Sequence, residues 1–280
     1  MRSLAGTLLL LALAAGCTDD GGQAASTTTA APTTTTVVTV TTAPPTTPTT
    51  RPEPQPLPGG TLDVLVVGDS VMLDAEAAID AALQATGSAT VENGAIFGLG
   101  LSDGAALPFA EHADDLLDGP PADQVLVMTG SWDHLTAQRD ADGYQEQVEA
   151  ALARLAEDGR DVLVLGEPPS DPAKGEEAVR SIVNDTLQAA VAEVPGARYL
   201  STDEIIGDAQ GNYVMTGPDG LLRKPDGRHL CPAGATRFGT AVVEALQETW
   251  QLPDANPVWA LGAWRQLHRY DDPVGACPAA

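Results

Sequence analysis

A hydroxyl that attacks a carbonyl needs a base beside it to take its proton, and the base needs a third group to hold its ring in the right tautomer. The chain offers a set of residues with those properties. Ser70 follows the run VLVVGD at positions 64–69, and Asp226 and His229 share the stretch KPDGRHLCPAGATRFG at positions 224–239. Taken singly the signals are modest: serine is also a favoured helix cap, and Asp-x-x-His is a common spacing. Placement carries the argument. Gly-Asp-Ser directly follows the first buried strand and Asp-x-x-His directly precedes the last helix, while open parallel sheets collect their ligands at the carboxyl ends of their strands.

The elements that must position these residues are read from hydrophobic periodicity. Apolar runs bounded by turn residues predict strands over 62–67, 89–92, 124–129, 161–166 and 197–201. Helical spacing predicts helices over 71–85, 102–117, 144–158, 176–194 and 232–250, with Pro232 opening the last. Strand and helix alternate, which predicts an α/β protein: a three-layer α/β/α sandwich around a parallel five-stranded sheet. A hairpin is expected near Asp208–Asn212, and the residues after Trp250 are expected to wrap back over the domain.

In their order these blocks resemble the SGNH hydrolases, the GDSL-like family, over Thr61 to Ala280. The resemblance implies the flavodoxin-like SGNH fold, with Ser70 as nucleophile, His229 as base and Asp226 as the group that orients it. It also implies an oxyanion hole made by the backbone N–H groups of Ser70 and Gly98, Gly98 being the best match to the family's second block within IFGLGL at 96–101. A plain turn glycine is the other reading of Gly98. The third block departs from the family. An oxyanion-binding asparagine is expected there, but the chain reads Gly130-Ser131-Trp132-Asp133. Trp132 is either a replacement donor through its indole N–H or a wall of the pocket. Asp133 and His134 are possible pocket neighbours, with a solvated loop histidine as the alternative for His134. The first block GDSVM and the loop LRKPDGRHL resemble SGNH domains fused to membrane O-acyltransferases that modify envelope glycans.

The first sixty residues read differently. Met1-Arg2, the apolar LAGTLLLLALAA and the small residues before Cys17 form a lipoprotein-type export signal over 1–17, with Cys17 as the expected site of lipidation. An ordinary signal peptide is the alternative. Residues 18–60, rich in Thr and Pro, are expected to be a disordered tether, leaving 61–280 as the domain. A net charge of −25 with no Lys/Arg cluster argues against nucleic acid or an anionic lipid surface as partner. In an oxidising compartment Cys231 and Cys277 are expected to pair as a disulfide, with two free thiols as the alternative.

These readings predict an exported, lipid-anchored enzyme at the outer face of the cell membrane or in the envelope. It would act on acyl esters, acetyl above all, of a small molecule or an envelope glycan, with no metal and no cofactor. A catalytically silent glycan-binding module is the alternative, motivated by the missing asparagine. A metal-dependent phosphoesterase would need Asp69, Asp133, Asp226 and His229 to converge on an ion. No feature of the chain speaks to its oligomeric state.

Overall fold

The computed structural model describes residues 53–271 and 276–277. The expected export signal, Cys17 and the tether as far as residue 52 lie outside them. In chain order the elements are β1 (Leu62–Gly68), α1 (Ser70–Gln84), β2 (Ala89–Ala95), the two-residue β3 (Leu99–Gly100) and β4 (Leu107–Pro108), and α2 (Phe109–Leu117). They continue with β5 (Gln124–Met128), α3 (His134–Arg139), α4 (Ala141–Leu155), β6 (Asp161–Leu165), α5 (Glu177–Glu193) and β7 (Ala197–Leu200). The helix α6 (Asp203–Ile206), the hairpin strands β8 (Thr216–Gly217) and β9 (Gly220–Leu221), and α7 (Pro232–Gln247) complete the set.

Five parallel strands form the central sheet in the order β2-β1-β5-β6-β7. The inner strands are apolar on both faces because both faces are covered. Val64, Val66, Leu126, Met128, Leu163 and Leu165 point to a core layer filled by α1 and α7. Leu65, Val67, Val125, Val127, Val162 and Val164 point to the other, against α4 and α5. Burying these side chains contributes roughly 1.5–3 kcal/mol each. The order reverses beside β1, so the chain leaving β1 and the chain leaving β5 diverge, and their carboxyl ends are the switch point at which sheets of this kind place the ligand crevice.

The expected helix over 102–117 begins only at Phe109. Residues 99–108 instead form a loop in which the Leu107 N–H donates to the Gly98 carbonyl at 2.9 Å, and β3 pairs with β4. The short helix α3 was not expected. Asp140 ends it and caps α4, its side chain accepting from the Gly143 N–H at 3.0 Å. At the expected hairpin, Gly207 and Tyr213 form an antiparallel bridge, and the β8–β9 hairpin follows it.

The domain begins before Thr61. Gln55 bridges Trp250, with the Gln55 N–H on the Thr249 carbonyl and the Gln251 N–H on the Gln55 carbonyl, both at 2.7 Å. At the other end, single-turn 3-10 helices at Pro257–Leu261, Ala263–Gln266 and His268–Asp271 lay Trp264 and Tyr270 on α1 beside Ala78. The disulfide between Cys231 and Cys277 is formed. Among the described residues no helix is long and apolar enough to cross a membrane.

Candidate active site

The Val/Leu run of β1 ends at Gly68 because the chain turns sharply into a helix there. Asp69, not Ser70, caps that helix: its Oδ1 accepts from the Val71 N–H at 2.8 Å. Ser70 is the first helical residue, so its own N–H belongs to the set that has no carbonyl partner within the helix. The positive end of the helix lies at the same point.

His229 reaches Ser70 from the loop before α7. Its Nε2 lies 2.9 Å from Ser70 Oγ, and its Nδ1 lies 2.5 Å from Asp226 Oδ2. A carboxylate only accepts, so the Nδ1 proton faces Asp226 and Nε2 is free to accept the Ser70 hydroxyl. The loop folds this way locally because Asp226 Oδ1 accepts from the N–H groups of both Arg228 and His229 at 3.1 Å, while Gly227 takes φ +74°. Partial burial draws the Asp226 carboxyl upward, but the His229 ring and those two N–H groups outweigh it and hold the group below its ordinary range.

Gly98 sits in the loop that leaves β2. That loop crosses the end of β1, where the Ile96 N–H donates to the Gly68 carbonyl at 2.8 Å. Gly98 has φ +95°, a conformation open to glycine and strained for other residues. Trp132 stands on the loop after β5, whose Ser131 hydroxyl donates to Asp69 at 3.3 Å. The Trp132 ring meets Phe97 edge-on at 5.3 Å and 72°, and Phe97 is 62% exposed. The two rings make an aromatic rim next to the loop that carries Gly98.

Asp133 does not line the crevice. It is fully buried and accepts the N–H groups of Leu101 and Ser102 at 3.1 and 2.9 Å, bracing the loop that follows Gly98. His134 pairs with Glu167, with Nε2 2.7 Å from Oε2, and its side chain is mostly covered. Asp69 is buried as well. Burial pushes its pKa up to about 7, with the charges of Glu167 and Asp133 adding to the rise and the Val71 N–H opposing it. Asp69, Asp133 and Asp226 therefore serve three separate networks, and among the described residues no group of His, Cys, Asp and Glu is arranged to hold a metal ion.

Residues 63–245 match the family model described as protein of unknown function, DUF459. The chain belongs to the DUF459 family. None of the curated proteins matches it. Solved structures with related folds include one described as a lipolytic protein of G-D-S-L family from Desulfitobacterium hafniense DCB-2. It has a TM-score of 0.54 at 14% identity, covering 67% of this chain and 99% of the other. LAE5, an alpha/beta hydrolase enzyme from the metagenome of Lake Arreo, Spain, has a TM-score of 0.52 at 16% identity over 66% and 95% of the two chains. A catalytic mutant of Axe2, an acetylxylan esterase from Geobacillus stearothermophilus, has a TM-score of 0.51 at 11% identity over 67% and 95%. At such identities the likeness is one of fold, and the fold of this DUF459 chain is that of the SGNH, or GDSL-like, hydrolases.

Four residues around the DUF459 crevice are not among the candidates that the sequence alone singles out. Glu167 follows Gly166 at the end of β6, and a charged residue at a strand's carboxyl end was the available cue. Phe97, Asp74 and Lys224 lie inside or beside the IFGLGL, GDSVM and KPDGRHL stretches, but their partners are far away in the chain.

Proposed function

We propose that this protein is a serine esterase or O-acyltransferase acting on acyl esters, acetyl above all, of envelope glycans. The observation that carries the reading is the unbroken chain Ser70 Oγ, His229 Nε2, His229 Nδ1, Asp226 Oδ2, with steps of 2.9 and 2.5 Å. In the first step Ser70 Oγ bonds to the acyl carbon and its proton passes to His229 Nε2. The resulting oxyanion faces the free N–H of Ser70 and the N–H of Gly98, and oxyanion donors of this kind contribute roughly 3–4 kcal/mol each. His229 returns the proton to the departing alcohol as the ester C–O bond breaks. Water or a sugar hydroxyl then attacks the acyl-enzyme, giving a free acid or a new ester.

An apolar aromatic rim beside a polar crevice supports a substrate with a flat C–H face, such as a pyranose ring. The fold relative Axe2 is an acetylxylan esterase, which supports the same class of substrate. Export and lipidation at Cys17 belong to this proposal: a tethered domain raises the effective concentration of nearby polymer at its site.

The test is turnover of 4-nitrophenyl acetate by wild type, Ser70→Ala, His229→Ala and the double variant. Each single variant is expected to lose roughly 10⁴- to 10⁶-fold in kcat, and the double to be hardly worse, because a triad acts as a unit. A Ser70→Ala protein that keeps most of the rate removes the nucleophile, and a silent wild type leaves the glycan-binding module in its place. Adding envelope oligosaccharides and looking for acetylated sugar by mass spectrometry separates transfer from hydrolysis.

A further inference from the structure

Behind the histidine loop lies a set of buried charges with no part in the chemistry above. Asp74 is one turn along α1 from Ser70, on the same side of that helix, and is 4% exposed. Its Oδ1 accepts from Lys224 Nζ at 3.0 Å and its Oδ2 from the Leu230 N–H at 2.9 Å. Lys224 and Leu230 are the two ends of the loop that carries His229. That loop is closed on itself, with the Lys224 N–H on the His229 carbonyl at 2.7 Å and the Gly227 N–H on the Lys224 carbonyl at 2.9 Å. The C-terminal strap adds two more ties: Lys224 Nζ donates to the Arg269 carbonyl at 2.7 Å, and the Tyr270 hydroxyl to the Asp74 carbonyl at 2.8 Å. One carboxylate thus clamps both ends of the His229 loop to the helix that begins with Ser70.

We infer that Asp74 and Lys224 are positioning residues whose buried ion pair sets the separation of Ser70 Oγ and His229 Nε2. The inference rests on reading Ser70, His229 and Asp226 as a catalytic triad. Stability alone gives no reason for charges at this place, because exchanging a buried ion pair for well-packed apolar side chains is often neutral or stabilising. Geometry gives one. Charge-assisted hydrogen bonds have narrow length and direction, whereas apolar contacts let the loop slide. A slide of about 1 Å away from a productive arrangement can cost roughly 10²-fold in rate.

The test compares wild type with the double variant Asp74→Leu, Lys224→Met, which removes both charges and keeps an apolar filling. Two quantities are read: kcat and KM for 4-nitrophenyl acetate, and the low-field NMR resonance of the His229 Nδ1–H donated to Asp226. The double variant also leaves the Leu230 N–H without its acceptor, so it is expected to melt somewhat below wild type while staying folded. It should lose roughly 10- to 100-fold in kcat with KM within about twofold, and its resonance should shift or broaden. Leu187→Ala, a cavity variant in the opposite core layer, is expected to lower the melting temperature and leave both readouts unchanged. If the double variant does not fold, Asp74→Asn, which keeps an acceptor for the Leu230 N–H, carries the same comparison. A folded variant with wild-type kcat and resonance overturns the inference, and so does a loss that Leu187→Ala reproduces. If wild type turns over no ester, the esterase reading fails separately. The resonance of the folded variant then decides the positioning alone: a change supports it and constancy overturns it.

Discussion

The Ser70 hydroxyl hydrogen bonds to a base that has itself been prepared by a partner. In the proposed mechanism Asp226 would both orient the His229 ring and stabilise the imidazolium, so the two would act only together. Trp132 raises a narrower question of wall against oxyanion donor. Its edge-on contact with Phe97 supports the wall, so Trp132→Phe is expected to change kcat by less than about tenfold, whereas loss of an oxyanion donor costs roughly 10²- to 10³-fold. A fall in that larger range assigns the indole N–H to the oxyanion. Asp69 sets a pH dependence of stability. Its folded pKa of about 7 stands above the ordinary 3.8, so the native state binds its proton more tightly than the unfolded chain. The stability this proton contributes is complete below the unfolded value, falls as pH rises, and is gone above the folded value. Asp69→Asn keeps an acceptor for the Val71 N–H and cannot ionise. It is expected to flatten the fall, worth on the order of a few kcal/mol, in urea midpoints taken between about pH 4 and 7. An unchanged slope would assign the fall to other groups.

At the scale of elements, the strand-to-helix corner decides where Ser70 stands. A Cβ on Gly68 would lie 2.4 Å from the Met128 carbonyl oxygen and 2.4 Å from Met72 Cβ, so neither the neighbouring strand nor α1 leaves room for one. Gly68→Ala is expected to cost roughly 1–3 kcal/mol by overpacking and to push the first turn of α1 off the sheet. Thermal melting reads the first effect and ester turnover the second, and a variant that matches wild type in both would show that the corner can relax. The loop after β2 is held differently. Its two central N–H groups rest on the buried Asp133, whose own carboxyl is drawn upward by burial against those hydrogen bonds. Asp133 therefore shapes the Gly98 side of the crevice without touching it.

Across the whole domain, the C-terminal strap joins parts that the sheet alone would leave independent. It packs Trp264 and Tyr270 on α1, and the Cys231–Cys277 bond, 46 residues apart in sequence, anchors its end two residues beyond His229. Reducing that bond is expected to lower stability by roughly 2–4 kcal/mol. Because Arg269 and Tyr270 hold the strap by other bonds, the reduced domain should stay folded while the histidine loop loosens. Guanidinium unfolding with and without reductant measures the first effect, and ester turnover under the same conditions the second. Equal midpoints would show that the strap is held without the disulfide.

The three inner strands were legible to within a few residues because a buried parallel strand writes its burial into a contiguous run of Val and Leu, whereas the half-exposed edge strands ATVENGA and ARYL carry no such run and were placed by the alternation of strand and helix. The Asp226–His229 pair was legible because both residues sit in one short loop, and Cys231–Cys277 because the expected export signal takes Cys17 and leaves that pair to bond. The rule that ligands gather at strand carboxyl ends put Ser70 and His229 on the same edge, although 159 residues separate them. The 2.9 Å between them came only from the packing of α1 and α7 on one face of the sheet. Residues 102–108 read as helix by periodicity alone, but Pro108 has no N–H to give inside a helix and stands instead just before α2, while the buried Asp133, 31 positions beyond Ser102, holds the Ser102 N–H in the loop. Asp74 with Lys224, and His134 with Glu167, had no local trace, since a charge carries no mark in sequence of which distant charge will neutralise it. Burial of elements is a property of short segments and was readable in the sequence; the pairing of polar groups depends on which segments meet, and only the tertiary structure decides that.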